Sequence, residues 1–352
     1  MWTASTLVAW PLLGAEASGQ TQTDSTVWSA LLGAIGGGLD RVPSLHVAKA
    51  IAAASSAAVM VMMGALGRPS ATSRTHALLA VALILVFASP TSQRWLQDGT
   101  EIGALVAAAV ACAWAVDRWL SAAPTSERVL LLGVAAALPA ILRIDAAPIG
   151  VATLLAARAL DRQAWAPALA TTLALVLPIW AWTHLTTGSW SVVPLQPGAL
   201  ATEVGATAWR WPADLVHAAL WTNPWWIAGA LALLVFVTRP HALRRVAVFG
   251  LLPLFASVWF GWSGGNAVAA TRGALPALAF AWAVALVLER HTGALARRLE
   301  RPRARRLWLL ALALGLAHTA ITWPSMRARS AAAALDFPQS PQTAALVGAP
   351  SR

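Results

Sequence analysis

The sequence predicts an all-α fold, a polytopic transmembrane helix bundle of about ten spanning or half-spanning helices. Three observations carry that prediction. Of its 352 residues 58% are hydrophobic and only 11% are charged, where a soluble domain of this length carries roughly a quarter charged residues. So much apolar surface cannot be hidden in one soluble core, which makes lipid its natural solvent. The apolar residues also fall into ten runs, and the basic residues cluster in alternate gaps between those runs, the pattern of a multi-pass protein obeying the positive-inside rule. That clustering sets aside nucleic acid as a partner. The net charge is +11, yet no long basic stripe interleaves with aromatics.

In chain order the runs are Val42–Leu66, Thr75–Ser89, Ile102–Leu120, Val129–Leu142, Ala146–Leu160, Ala164–Leu185, Thr222–Val237, Ala242–Phe260, Ala274–Leu288 and Leu307–Ile321. A full crossing takes about 20 residues, so the shorter runs read as half-spans. The organisation expected is an outer loop remnant over 1–41, a transmembrane domain over 42–324 with an outer loop at 186–221, and an outer tail over 325–352. One set of gaps holds Arg68, Arg74, Arg118, Arg128, Arg158, Arg162, Arg239, Arg244, Arg245 and the dense cluster from Arg290 to Arg306. These sixteen positives face eight arginines on the opposite side, which makes the first set cytoplasmic. Nine of the fourteen acids fall on the other face, and chemistry is expected there. The first 41 residues would then lie outside with no signal peptide to export them. Either that tail translocates with the first hairpin, or, as the favoured expectation, a helix precedes Met1.

Charges at membrane depth cost roughly 2.5–3.5 kcal/mol each on insertion scales, so those near apolar runs face a cavity or a partner. Leu142-Arg143-Ile144-Asp145 stands between two short runs with Pro139 and Pro148 on either side. It reads as a turn between half-length helices or as an ordinary outer turn with a local ion pair. Gln97-Asp98-Gly99-Thr100-Glu101 opens the third helix, where carboxylates suit the macrodipole as caps or as site groups. Trp262 to Asn266, followed by Thr271 and Arg272, reads as an outward glycine turn with one guanidinium, a geometry that suits phosphate. Lys49, the only lysine in the chain, lies about two turns into the first helix, near His46. It snorkels to the outer interface or joins a polar face. Eight of the twenty Trp fall between Trp180 and Trp226, as an interfacial belt or as sugar-stacking faces. No metal-ligand cluster, P-loop, dinucleotide fingerprint or nucleophile elbow stands in the sequence. His184, His217 and His318 are too scattered for zinc, and Cys112 lies alone in an apolar run.

Read in order, these blocks resemble the GT-C type of membrane glycosyltransferase, especially bacterial polyprenyl-phosphate-sugar enzymes of the arabinofuranosyl- and mannosyltransferase kind. Ser25 to Leu32 followed by Pro43 to Lys49 is similar to the family's end of the first outer loop. Asp98-Gly99-Thr100-Glu101 is similar to its SGxE block, and Leu142-Arg143-Ile144-Asp145 to its LxRP[ED]G block. Ser263 to Asn266 through Arg272 to Pro276 is similar to its SGGD…RFxxP block. The match spans roughly residues 20–290. Ile144 and Ala146 replace the usual Pro and Gly, Asn266 replaces an expected Asp, and the family's large soluble domain has no counterpart after the last run.

The resemblance implies a multi-pass enzyme of the bacterial inner membrane with both termini non-cytoplasmic. Its donor would be a polyprenyl-phosphate-linked sugar, with membrane lipid as its other partner, and no certain cofactor or divalent metal is called for. It implies donor-phosphate binding by Arg143, Arg272 and Lys49. Sugar or acceptor contacts fall to Glu101, Asp145 and Asn266, and proton removal to Asp24 as stand-in for a carboxylate upstream of Met1. The competing classes are an inactive relative or membrane scaffold, and a transporter or flippase for a lipid-linked or anionic solute.

Overall fold

The structure, a computed structural model, describes residues 27, 31, 44–66, 102–121, 125–161, 165–187, 224–237, 241–261, 267–294, 297 and 301–335. The described residues form nine α-helices and one 3-10 turn, with no strand among them. The helices are α1 (Ser44–Leu66), α2 (Ile102–Ser121), α3 (Ser126–Leu142), α4 (Ala147–Leu160), α5 (Trp165–Thr187), α6 (Pro224–Val237), α7 (His241–Gly261), α8 (Ala267–Thr292) and α9 (Pro302–Leu335). The 3-10 turn, Ile144–Ala146, joins α3 to α4. Nine of the ten apolar runs therefore correspond to helices, and the run Thr75–Ser89 lies outside the described residues.

Two helix starts and one stop show how local chemistry sets these ends. Thr125 caps α3 in an extended conformation, its Oγ1 accepting from the Arg128 N–H at 3.4 Å, with Glu127 in the first turn favoured by the macrodipole. Pro302 opens α9, where its missing N–H costs nothing. α8 stops at Gly293, whose φ of +57° is the left-handed C-terminal position that glycine fills without strain. The Gly293 N–H donates to the Glu289 carbonyl at 2.6 Å.

α8 is the axis of the bundle. Every residue from Leu275 to Glu289 is buried, because α2, α6, α7 and α1 pack around it. α4 seats against α7, α3 and α2, and α5 lies on α3. Small residues let these backbones approach. A Cβ on Gly150 would lie 2.1 Å from the Ala136 carbonyl oxygen, and one on Gly133 would lie 2.7 Å from that of Ala168. On Gly229 it would meet the Trp282 ring at 2.4 Å. Close crossing through small side chains is how helices associate where no water is available to drive them together.

Two helices, Ile102–Ser121 and Trp165–Leu185, are long and apolar enough to cross a membrane, and Ala50–Leu66, Ala147–Leu160 and Ala228–Val237 are shorter apolar helices. The two long ones differ in surroundings. The first is 72% buried within the fold, as the core helix of any protein would be, while the second is 22% buried. α5 turns Leu173, Leu175 and Leu177 outward, and α9 exposes Leu307, Leu309, Leu310, Leu314, Leu316 and Ile321.

Two boundaries differ from the sequence expectation. α8 begins at Ala267 rather than Ala274, so Thr271 and Arg272 stand in its first two turns; the glycine turn expected at Trp262 to Asn266 lies outside the described residues. The good helix formers Ala267, Ala269 and Ala270 carry the helix back that far. α9 runs on to Leu335 through another alanine-rich stretch, well into the segment expected to be tail.

Candidate functional site

The break between α3 and α4 is built around one proline. Pro139 lies inside α3 and has no N–H to give the carbonyl of Ala135, four residues back. That carbonyl accepts instead from the Cys112 thiol of α2, at 3.0 Å. Three residues past Pro139 the helix ends, leaving its last carbonyls without intrahelical donors. The Trp180 indole of α5 donates to one of them, Ala140, at 3.0 Å. The backbone then turns at Arg143, extended at φ −152° and ψ 132°. The Arg143 N–H donates to the Pro139 carbonyl at 2.9 Å, and its own carbonyl accepts from the Ala146 N–H at 3.1 Å. Pro148 restarts the helix at the beginning of α4, where a proline is tolerated. Neighbouring helices thus supply the donors that an interrupted backbone in apolar surroundings demands.

This turn sits at a defined end of the bundle. The Cys112–Ala135 contact pins α2 against α3. From there α2 runs back about 15 Å to Ile102 and α3 runs forward about 10 Å to Leu142, at 1.5 Å rise per residue. The start of α2 and the Arg143 turn therefore share an end. α8 lies parallel to α2, since their C-terminal turns are joined by an ion pair, so the start of α8 shares that end too.

Among the expected site residues, Arg143 is half-buried in the turn and Asp145 belongs to its 3-10 segment. Lys49 falls in α1 and Arg272 in α8. Pro276 withholds the N–H that the Arg272 carbonyl would receive within the helix. Asp24, Glu101 and Asn266 lie outside the described residues, although Glu101 immediately precedes α2 and Asn266 immediately precedes α8. The long loop expected at 186–221 is outside them as well beyond Thr187. Among the described residues no group of three His, Cys, Asp or Glu gathers to hold a metal ion.

The opposite end holds a polar cluster that the sequence reading overlooked. Asp117 of α2 is 2% exposed. Its Oδ2 accepts from Arg290 Nη1 at 3.0 Å, and its Oδ1 lies 2.9 Å from His291 Nε2, both partners coming from the last turn of α8. A signal for it was present. A carboxylate near a helix C-terminus opposes the macrodipole, so Asp117 requires a cation from elsewhere. The same end carries Arg118 over the Trp114 ring at 4.9 Å and Arg158 over the Trp165 ring at 5.0 Å. Arg118, Arg158 and Arg290 thus mark an arginine-rich end of the bundle, and the Arg143 turn stands at the other.

Comparison with protein-family models, with curated proteins and with solved structures returns no match for this chain.

Proposed function

We propose that this chain is a multi-pass α-helical protein of the bacterial inner membrane. In this reading it transfers a sugar from a polyprenyl-phosphate donor to an acceptor hydroxyl at the non-cytoplasmic face. The membrane part of the reading is supported by α5. A soluble core helix this apolar would be buried, yet only 22% of the apolar stretch of α5 is buried, one face lying on α3 and the rest turned outward, and it lies mid-chain, away from any signal-sequence position. Aliphatic side chains turned outward on α5 and α9 find their solvent in lipid tails.

The observation that carries the enzymatic part is the half-buried residue Arg143 at the α3–α4 break, at the end shared with the starts of α2 and α8. A polyprenyl-phosphate sugar keeps its chain in the bilayer and presents its phosphate at the interface. Its leaving group is an anion, so fixed positive charge where negative charge grows is the largest help a protein gives. Arg143 and Arg272, with Lys49, supply that charge. Asp24, or a carboxylate ahead of it, takes the acceptor hydroxyl's proton as the new bond forms. Glu101, Asp145 and Asn266 orient hydroxyls or hold the arginines.

The test is transfer of radiolabelled sugar from a polyprenyl-phosphate donor by the purified full chain. Arg143→Ala and Arg272→Ala should each lower turnover about 100-fold or more, as expected for loss of a group facing developing charge, with membrane insertion unchanged. Full activity in both variants would overturn the site assignment. A wild-type chain unable to turn over any such donor would overturn the enzyme reading.

A further inference from the structure

At the arginine-rich end a cavity of about 440 Å³ opens between α4, α5 and α7. Leu155, Arg158 and Ala159 of α4, Trp165 of α5, and Arg245 and Phe249 of α7 line it. Its size lies within the usual range for small-molecule sites. The lining divides by chemistry. Leu155, Ala159 and Phe249 form an apolar wall. Arg158 and Arg245 bring two guanidinium groups, and no carboxylate stands among the described lining residues. Arg158 is held against the Trp165 ring at 5.0 Å, so its charge is positioned rather than loose. Trp165 opens α5 at the cavity, where a helix N-terminus favours an anion, while Arg245 and Phe249 lie in the second and third turns of α7.

We propose that this cavity binds the phosphodiester headgroup of an anionic membrane lipid, with the upper part of an acyl chain against Leu155 and Phe249. The inference rests on the membrane reading above and not on the glycosyltransferase one. Two guanidinium forks match phosphate oxygens. An apolar wall continuous with them suits an amphiphile better than a free ion. Basic pockets between helices at a cytoplasmic interface recognise anionic headgroups by this combination of charge and depth. Trp165 stands where an indole anchors at the headgroup level.

The experiment is native mass spectrometry of the full chain released from detergent, titrated in separate arms with phosphatidylglycerol, phosphatidylcholine and inorganic phosphate. Wild type should retain phosphatidylglycerol in preference to phosphatidylcholine, and inorganic phosphate should not displace it. Arg158→Gln/Arg245→Gln should bind phosphatidylglycerol about 30-fold more weakly, from the typical contribution of two surface arginines. Arg301→Gln/Arg303→Gln removes the same charge from exposed residues outside the cavity and should bind as wild type does. Equal loss in both double variants would mean diffuse surface charge and overturn the site. Displacement by inorganic phosphate would mean a free-anion site and overturn the lipid assignment. Carbonate extraction of membranes reads the underlying premise separately: a released chain fails the membrane reading, whereas a retained chain with unchanged lipid binding in Arg158→Gln/Arg245→Gln fails this proposal alone.

Discussion

Removing Arg290 should destabilise the protein far more than neutralising its partner Asp117. The asymmetry follows from exposure. The Asp117 side chain is 2% exposed and that of Arg290 is 40% exposed. Arg290→Ala strips the partner from Oδ2 and leaves a buried carboxylate with His291 alone on Oδ1. Breaking a buried pair in this way costs about 3–5 kcal/mol. Water reaches the arginine side of the pair, which brings the expectation to about 2–3 kcal/mol. Asp117→Asn instead leaves a guanidinium already partly solvated and an amide that both neighbours can bond, at about 0.5–1 kcal/mol. At about 2 °C per kcal/mol for a large chain, Arg290→Ala lowers the midpoint by about 4–6 °C and Asp117→Asn by about 1–2 °C. The double variant should recover most of the Arg290→Ala loss, because it removes the stranded charge. The assay is thermal unfolding of the full chain in detergent at one fixed scan rate. Asp117→Asn as damaging as Arg290→Ala, or a double variant at the sum of the two, would refute the reasoning.

Glycine contacts give a second pair of outcomes. Gly150→Ala forces a methyl to within 2.1 Å of the Ala136 carbonyl and should cost about 1–3 kcal/mol by prising α4 from α3, whereas Gly64→Ala meets nothing within 4 Å and should raise stability by about 0.5–1 kcal/mol through helix propensity; thermal unfolding reads both. Cys112→Ala should be destabilising in the native background and less so, by about 0.5–1 kcal/mol, alongside Pro139→Ala, which restores the helical N–H to the Ala135 carbonyl. A double-mutant cycle with no coupling would mean the thiol does not serve that carbonyl. Trp180→Phe removes the donor to Ala140 and should cost about 1 kcal/mol with helix content by circular dichroism unchanged.

Much of the helix inventory was legible because apolar runs long enough to bury or span are punctuated by arginine, proline and glycine. The run Ala146–Leu160 and the helix Ala147–Leu160 differ by one residue at the start. The start of α8 was less legible. Its apolar run reads from Ala274, but the alanines before Thr271 extend the helix back through Arg272 and Gly273. Its enclosure was not legible either. From Ala277 to Leu286 small and large residues alternate, marking no single helix face for burial, yet all are buried because α1, α2, α6 and α7 pack around them. The Arg143 break was visible from its two prolines. What held it was not, since the donors Cys112 and Trp180 come from residues 23 and 40 positions away from their acceptors. The pairing of Asp117 with Arg290 was hidden for the same reason, the partners standing 173 positions apart.

In the proposed membrane topology the Arg143 turn and the arginine-rich end face opposite sides of the bilayer. The direct measurement is labelling of two single substitutions, Ile144→Cys in the turn and Ser126→Cys at the far end of α3, with a membrane-impermeant maleimide in sealed cells; Cys112 is buried and serves as the native background. With that topology Ile144→Cys labels in intact cells and Ser126→Cys only after permeabilisation. Equal labelling of both before permeabilisation, or the reverse order, would contradict it.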